Sequence, residues 1–421
     1  MSLRHNRPLF ALWSGEFCSR IGESMFQIAL LWYLLEATNS SLATGLVSMI
    51  SYLPAIVVGL WAGVLVDRWP FVAVLQGANV ARVLLVAALP LLALMAALPI
   101  AGVALLAFAV SSASAFFGPA RDALIPRLAR PGELLSANSL VQSAWQFSLL
   151  IGPFLAALVL PFVPTVQLFL LVALAFGVSL AVLLPLRTPP ADHGAAAGLR
   201  DADQWADGSA AQAAAARPAA FGTAFADGLR YLWGQPQVFW VWVLTVANNF
   251  FLMGPVIVGM PFYVKMHLGG SASAFAVVEG TYAGGMIVAT WAIARFGGRW
   301  DPLRMLYGGL IYDGLTYLPL LWVTTVEGTV LTVLIHSLGI PTITISRITA
   351  LHRIVPHRMQ GRVFSYFHLA VAGMTALSIG VTGMVLTWLP APWLFCWIGL
   401  LAAGCGVVGL LHPALRRGLA G

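Results

Sequence analysis

With 421 residues, 60% of them hydrophobic and only 9% charged, the chain is far too apolar for a soluble protein of its size and reads as an integral membrane protein. Its net charge of +7 comes from arginines that cluster between apolar runs, so the basic excess reflects membrane topology and excludes nucleic acid as the expected partner. Runs such as VLLVAALPLLALMAALPIAGVALLAFAV do not alternate apolar with polar residues, which excludes a barrel in favour of helices.

The first apolar run, near 9 to 35, is too long and too charged for a cleavable leader and is expected to remain as a first membrane helix. Further spans follow near 43 to 66, 71 to 96, 99 to 119, 135 to 161 and 165 to 186, then near 237 to 261, 273 to 296, 303 to 325, 328 to 350, 362 to 388 and 392 to 412. Between the two sets of six, residues 188 to 220 are polar and rich in Ala, Gly and Pro, the composition of a linker. FADGLRYLWGQ after it carries Phe225, Leu229 and Leu232 on one side, the pattern of a short surface helix. The expected organisation is a six-helix bundle over 1–187, a cytoplasmic linker with an amphipathic helix over 188–235, and a second six-helix bundle over 236–421.

Arg68, Arg121, Arg127, Arg130, Arg187, Arg295, Arg299, Arg304, Arg353, Arg358, Arg362, Arg416 and Arg417 fall in the last tail or in alternate connections, joined by Arg4 and Arg7 at the start. The opposite connections hold only Lys265. Cationic loops are retained in the cytoplasm, so both termini are expected there, in a bacterial-type inner membrane. Lys265 is the only lysine and Met266 follows it, so no phosphate loop ending in Gly-Lys-Ser/Thr exists and no ATP hydrolysis is expected. Histidine and cysteine spacing matches no zinc pattern, and no Gly-x-Ser-x-Gly elbow occurs. Neither an enzyme nor a metal or other cofactor is expected. Cys18, Cys396 and Cys405 lie in apolar runs, as packing residues do.

The halves echo each other: IPRLARPGELLSANS precedes the fifth span and HRIVPHRMQGRVFS the eleventh, and AGVLVDRWP after the second span parallels ARFGGRWDP after the eighth. Two six-helix repeats are the expected reading, with a substrate site between them near the midplane. GVLVDR from Gly63 to Arg68, FFGPARDALIPRLARPGELLSANSL from Phe116 and VPHRMQGRVFS from Val355 resemble the major facilitator superfamily, and more narrowly its macrolide-efflux and enterobactin-exporter-like branch of drug:proton antiporters. The resemblance covers all but the linker and the tails. It implies an all-α fold of twelve membrane helices in two pseudo-symmetric six-helix bundles. It further implies that Gly63, Asp67 and Arg68 belong to a conformational latch, with Arg68 joining Arg121 and Asp122 in a cytoplasmic charge network. Pro70, Phe71 and Val72 stand where that family's latch carries its Gly-Arg-Arg part. Gly152 and Pro153 match the start of the fifth-helix element of family antiporters, followed here by Ala156 and Ala157.

Within the first span, Glu16, Arg20, Glu23 and Gln27 are spaced four, three and four apart and share one helical face. A charge near the bilayer centre costs about 2.5–3.5 kcal/mol on insertion scales, so this stripe is expected to face protein or water. At about 1.5 Å per residue Arg20 lies roughly 17 Å above Leu9, near mid-membrane. Two readings stay open: a buried pair network that fixes packing, or a proton-exchanging site, since two acids sharing one base leave a negative excess unless a proton binds. Glu23 is the first proton-site candidate, Glu16 the group that holds Arg20 or attracts cations, and Glu279 in the eighth span the second candidate. Asn248, Asn249 and Phe250 in the seventh span suit, with Arg20 and Gln27, a wall for an amphipathic molecule; the other reading is interhelical hydrogen bonding by the asparagines with ordinary lipid-facing aromatics. Arg82 and Asp313 are expected to be peripheral and structural, and His336 to be a titratable or a packing residue.

The resulting expectation is a monomeric, proton-gradient-driven exporter of amphipathic small molecules such as drugs, working by rocker-switch alternating access. The alternative is an exporter of an anionic metabolite or siderophore anchored by Arg20, with a lysophospholipid flippase more remote and a non-transporting sensor or scaffold more remote still.

Overall fold

The computed structural model describes residues 6–66, 68–94, 99–129, 134–186, 228–297, 300–412 and 415. All regular structure among these residues is helical, in twelve main stretches. In the first half these are α1 (Arg7–Thr38), α2 (Ser41–Val57, continuing as Gly59–Val66), α3 (Phe71–Leu94), α4 (Ile100–Leu128), α5 (Leu134–Val159) and α6 (Thr165–Leu183). The second half has α7 (Pro236–Gly254, running on through π-turns to His267), α8 (Ala272–Phe296), α9 (Pro302–Leu315), α10 (Val326–Ser337, resuming as Ile340–Ile354), α11 (His357–Val385) and α12 (Ala391–Leu411). Among the described residues eight spans are long and apolar enough by themselves to cross a bilayer, and two shorter apolar helices lie at Ser41–Val57 in α2 and Ser143–Val159 in α5; the charged α1 and the short α9 meet neither criterion.

Local chemistry sets the helix ends. Asn6 accepts a hydrogen bond from the Leu9 amide and starts α1, Ser40 does the same for α2, Ser271 for α8 and Thr325 for α10. Asn39, left-handed at φ 47°, ends α1. The sequence placed the end of the fourth span near 119, whereas α4 continues to Leu128 and carries Arg121, Asp122 and Arg127 on helix. Hydropathy ends where the helix leaves the apolar layer, but its backbone bonds continue beyond it. The linker 188 to 220, Phe225, Arg130, Arg187 and Arg299 lie outside the described residues. The short helix from Gly228 is present, with Leu232 buried and Leu229 exposed.

Each half packs around its own helices, and the halves meet along two seams, α2 against α11 and α5 against α8. At the first seam the backbones touch: a Cβ on Gly45 would lie 2.7 Å from Gly383 Cα, the close approach that small residues permit between membrane helices. The apolar packing is uneven along the bundle. At the end holding the α1–α2 and α7–α8 connections, one buried cluster spans both halves, including Leu30, Trp32 and Phe169 from the first and Tyr263, Phe275 and Phe395 from the second. Toward the opposite end the buried residues divide into two clusters, one around Leu9, Leu75, Leu124 and Leu183, the other around Val238, Leu306, Leu351 and Phe367. The halves are thus fused at one end of the molecule and separately cored at the other.

Candidate functional site

The helical spacing of Glu16, Arg20 and Glu23 produces the contacts it implies. Arg20 Nε donates to Glu16 Oε1 at 2.8 Å and Arg20 Nη1 to Glu23 Oε2 at 2.7 Å. Two further arginines arrive from other helices. Arg121 on α4 donates through Nη1 to Glu16 Oε1 at 2.5 Å and through Nε to Asp122 at 2.8 Å. Arg82 on α3 is fully buried, with Nη2 3.6 Å from Glu23 Oε1 and Nη1 2.6 Å from Ser19 Oγ. Its guanidinium also lies over the rings of Phe117 and Phe176, at 4.7 and 5.2 Å, a cation–π arrangement suited to a desolvated arginine.

Three carboxylates (Glu16, Glu23 and Asp122) therefore face three guanidiniums. The negative excess expected from the sequence is not present, because the stripe was counted on α1 alone and its partners stand on α3 and α4. Arg82, expected to be peripheral, is part of this network. Its depth was the available signal: it lies about 17 Å along α3 from Phe71, the same as Arg20 along α1 from Leu9. Glu16 is wholly buried and Glu23 keeps 27% of its side chain exposed. Arg20 binds both glutamates through Nε and Nη1 and keeps 26% of its side chain exposed.

The close fit of α1 on its neighbours holds the stripe in register. Gly22 meets Phe176 and Ala175 of α6, and a Cβ on Gly152 of α5 would lie 2.5 Å from Ser24. Pro153 in turn faces Gly280 of α8, at 3.8 Å from where a Cβ would stand. The Gly152–Pro153 pair thus sits where α5 passes between α1 and the other half. Of the latch residues, Asp67 lies outside the described residues, Gly63 is on the second segment of α2, and Arg68 is exposed and makes no ion pair among the described residues. Arg121 binds Asp122 but turns its other nitrogen to Glu16, since a carboxylate buried that completely needs a cation.

In the second half Asn249 Nδ2 donates to Val371 O at 3.0 Å and Thr375 Oγ1 at 2.9 Å, tying α7 to α11. Asn248 is buried with its Oδ1 unpartnered. Phe250 packs edge-on against Phe251, with ring centroids 5.8 Å apart, and its carbonyl accepts from Ser378. The amide of Asn249 is thus committed to helix packing, and Asn248 and Phe250 remain beside it on α7.

Gln27, the last residue of the stripe, lies 3.5 Å from the Tyr52 hydroxyl of α2. Glu279 on α8 is half-buried and makes no ion pair among the described residues. It lines a narrow cavity with Val256, Met260, Tyr282, Tyr317 and His336. Behind it, Asp313 and His336 lie together, 3.4 Å apart between Oδ1 and Nε2 and each 2% exposed.

The model of the Major Facilitator Superfamily matches residues 12–378. The chain is 31% identical over 149 residues to macrolide efflux protein A of Streptococcus pyogenes, a match over 35% of this chain and 37% of that one. It is 29% identical over 186 residues to the multidrug efflux pump Tap of Mycolicibacterium fortuitum, over 43% of this chain and 45% of that one. The matched part thus spans less than half the length of these curated relatives. Among solved structures, a peptide transporter superposes with TM-score 0.71 at 17% identity, covering 98% of this chain and 95% of that one. A bacterial homologue of the iron transporter ferroportin, in an inward-facing state, gives TM-score 0.70 at 15% identity over 100% and 99% of the two chains. These likenesses show the fold.

Proposed function

The chain belongs to the Major Facilitator Superfamily, and on that footing we propose that it is a proton-coupled exporter of amphipathic small molecules such as drugs, its halves rocking about a central cavity. The efflux relatives support export, and the observation that carries coupling is Glu279. It is a carboxylate that shares its cavity with apolar and aromatic groups and His336 and pairs with no arginine or lysine among the described residues, beside the seam where α8 passes Pro153. The glutamates of α1, by contrast, are each bound by arginines. Glu279 is the primary proton carrier in this reading, and Glu23 the second, reached when either arginine moves away. Glu16 stays locked between Arg20 and Arg121.

Rocking requires a seam that can open at either end. The fused cluster at the α1–α2 and α7–α8 end would be the closed extracellular gate, and the separately cored end the open cytoplasmic side, with both termini in the cytoplasm of a bacterial-type inner membrane. Protonation drives such a cycle only if proton affinity differs between the two states; exposure of Glu279 as the seam parts would supply that difference. Tyr52 and Gln27 of the first half, with Asn248 and Phe250 of α7, would contact an amphipathic substrate through aromatic faces and a few polar groups. Arg20 already carries Glu16 and Glu23, so an anion anchored there would compete with two carboxylates.

The test is accumulation of a panel of fluorescent dyes and macrolides in efflux-deficient cells, at matched expression of wild type, Glu279→Gln and Glu23→Gln, with and without an uncoupler. Export by wild type that is lost with the uncoupler and with Glu279→Gln is the expected result. Export indifferent to the uncoupler would remove proton coupling from the account.

A further inference from the structure

Asp313 and His336 are the most deeply buried acid and base among the described residues of the second half, and neither is used by the reading above. Both stand where helices break. Asp313 is in the last turn of α9, and His336 lies just before the interruption of α10 at Leu338 and Gly339. Broken helices inside a membrane bundle are tolerated where they are buried in protein or line a cavity.

Thr316 fixes the histidine tautomer. Its Oγ1 lies 2.8 Å from Tyr312 O, 3.0 Å from Asp313 O and 2.9 Å from His336 Nδ1. A threonine has one hydroxyl hydrogen, and with two carbonyls in range that hydrogen goes to a carbonyl. Nδ1 must then carry a hydrogen and donate to Oγ1. Neutral His336 consequently presents the lone pair of Nε2 toward Asp313 Oδ1, which has no hydrogen-bond donor among the described residues. A lone pair facing an ionised carboxylate at 3.4 Å, both desolvated, is repulsive and leaves the carboxylate unsatisfied. One added proton between the two atoms removes both penalties.

We infer that Asp313 and His336 together form a proton-binding site of the second half, loaded from Glu279. This site deepens the proton-coupled reading and rests on it. Tyr282 and Tyr317 bridge the groups: the His336 ring centroid is 5.9 Å from that of Tyr282 and 4.0 Å from that of Tyr317. Tyr282 feels the charge of both Glu279 and Asp313. The cavity between them leaves about 10 Å³ open to a water-sized sphere, space for about one molecule able to relay a proton. A proton leaving the Glu279 carboxyl returns that group to −1, while the pair passes from −1 to neutral, so charge is conserved within the half. The groups facing the pair are Glu279 and Tyr282 from α8, Tyr317 beyond α9 and Thr316 beside Asp313; α12 brings only backbone and small residues, Gly399 and Ala403, against Gly314. No arginine or lysine among the described residues pairs with either member.

The test uses the full chain reconstituted in liposomes, as wild type, Asp313→Asn, His336→Gln and Thr316→Val. Infrared spectra titrated with pH read the protonated-carboxyl and imidazolium bands directly. Ethidium accumulation under an imposed pH gradient is compared with ethidium exchange at equal pH, which needs no net proton movement. The expected result is a titrating carboxyl band in wild type that is lost in Asp313→Asn and shifted in midpoint in His336→Gln, together with loss of gradient-driven accumulation and retention of exchange. Thr316→Val keeps both titrating groups and removes the Oγ1 partner of Nδ1, leaving the Asp313 backbone as the other partner of the ring, so it should fold and shift the titration midpoint; it decides the matter if the other variants do not fold. Identical titrations in wild type and variants, or gradient-driven accumulation retained by Asp313→Asn, would overturn the site. Wild type that titrates as expected but accumulates no ethidium under the gradient would count against proton-coupled export and leave the proton site standing.

Discussion

Lys265, the only lysine of the chain, closes the fused end of the bundle. Its Nζ donates to Leu35 O at 2.7 Å and to Asn39 Oδ1 at 2.9 Å, linking the π-turn of α7 to the last turn of α1 in the other half. The carbonyl end of a helix favours a cation, and both acceptors belong to that end. Hydrogen bonds from a charged donor contribute about 1.5–3 kcal/mol each when shielded. Lys265 is partly exposed, so solvent competition lowers the two together to about 1.4 kcal/mol, or about tenfold in the balance between closed and open ends. Lys265→Met, similar in length and without donors, should shift that balance tenfold toward opening. Spin labels on cysteines at Ala37 and Met266, both exposed, would report it as a longer-distance population in double electron–electron resonance, in a background with Cys18, Cys396 and Cys405 replaced by alanine. An unchanged distance distribution in Lys265→Met would refute the gate assignment.

Arg82→Gln should lower the detergent melting temperature markedly. Removing one partner of a buried ion pair costs about 3–5 kcal/mol, and the double variant Arg82→Gln with Glu23→Gln should recover part of the loss if the Glu23 contact is the cause. Gly383→Ala should disrupt the α2–α11 seam, because the new Cβ would meet Ser41 O and Gly45 Cα at 2.7 Å, backbone atoms that no rotamer change can move. A fall in folded yield by fluorescence-detected size exclusion, absent in Gly373→Ala where the space is open, would be the readout. Ser24→Gly should tolerate Gly152→Ala better than wild type does, since the clash there is with the Ser24 side chain.

The span count and the helix-one stripe were legible in the sequence because they depend on local rules. Hydropathy over about 20 residues finds a span, and spacings of three and four put Glu16, Arg20 and Glu23 on one face. What the sequence hid was partner choice between helices distant in the chain. Arg82 and Arg121 reach α1 across 59 and 105 residues, so the charge balance of the stripe could not be judged from α1. The pairing of Asp313 with His336 was hidden for the same reason, although each was visible as an ionisable group in an apolar run. Asn249 shows the converse: an amide suited by its chemistry to a substrate wall is held by Val371 and Thr375 of α11.

The central claim is that an outward-moving substrate is exchanged for protons through Glu279. Liposomes containing a trapped pH indicator and the purified chain, loaded with a compound that wild type exports from cells, measure both fluxes together. The account predicts that wild type carries protons against the direction of the compound, and that Glu279→Gln lets the compound exchange but moves no protons with it. Compound release by wild type without proton movement, or full coupling retained by Glu279→Gln, would contradict it.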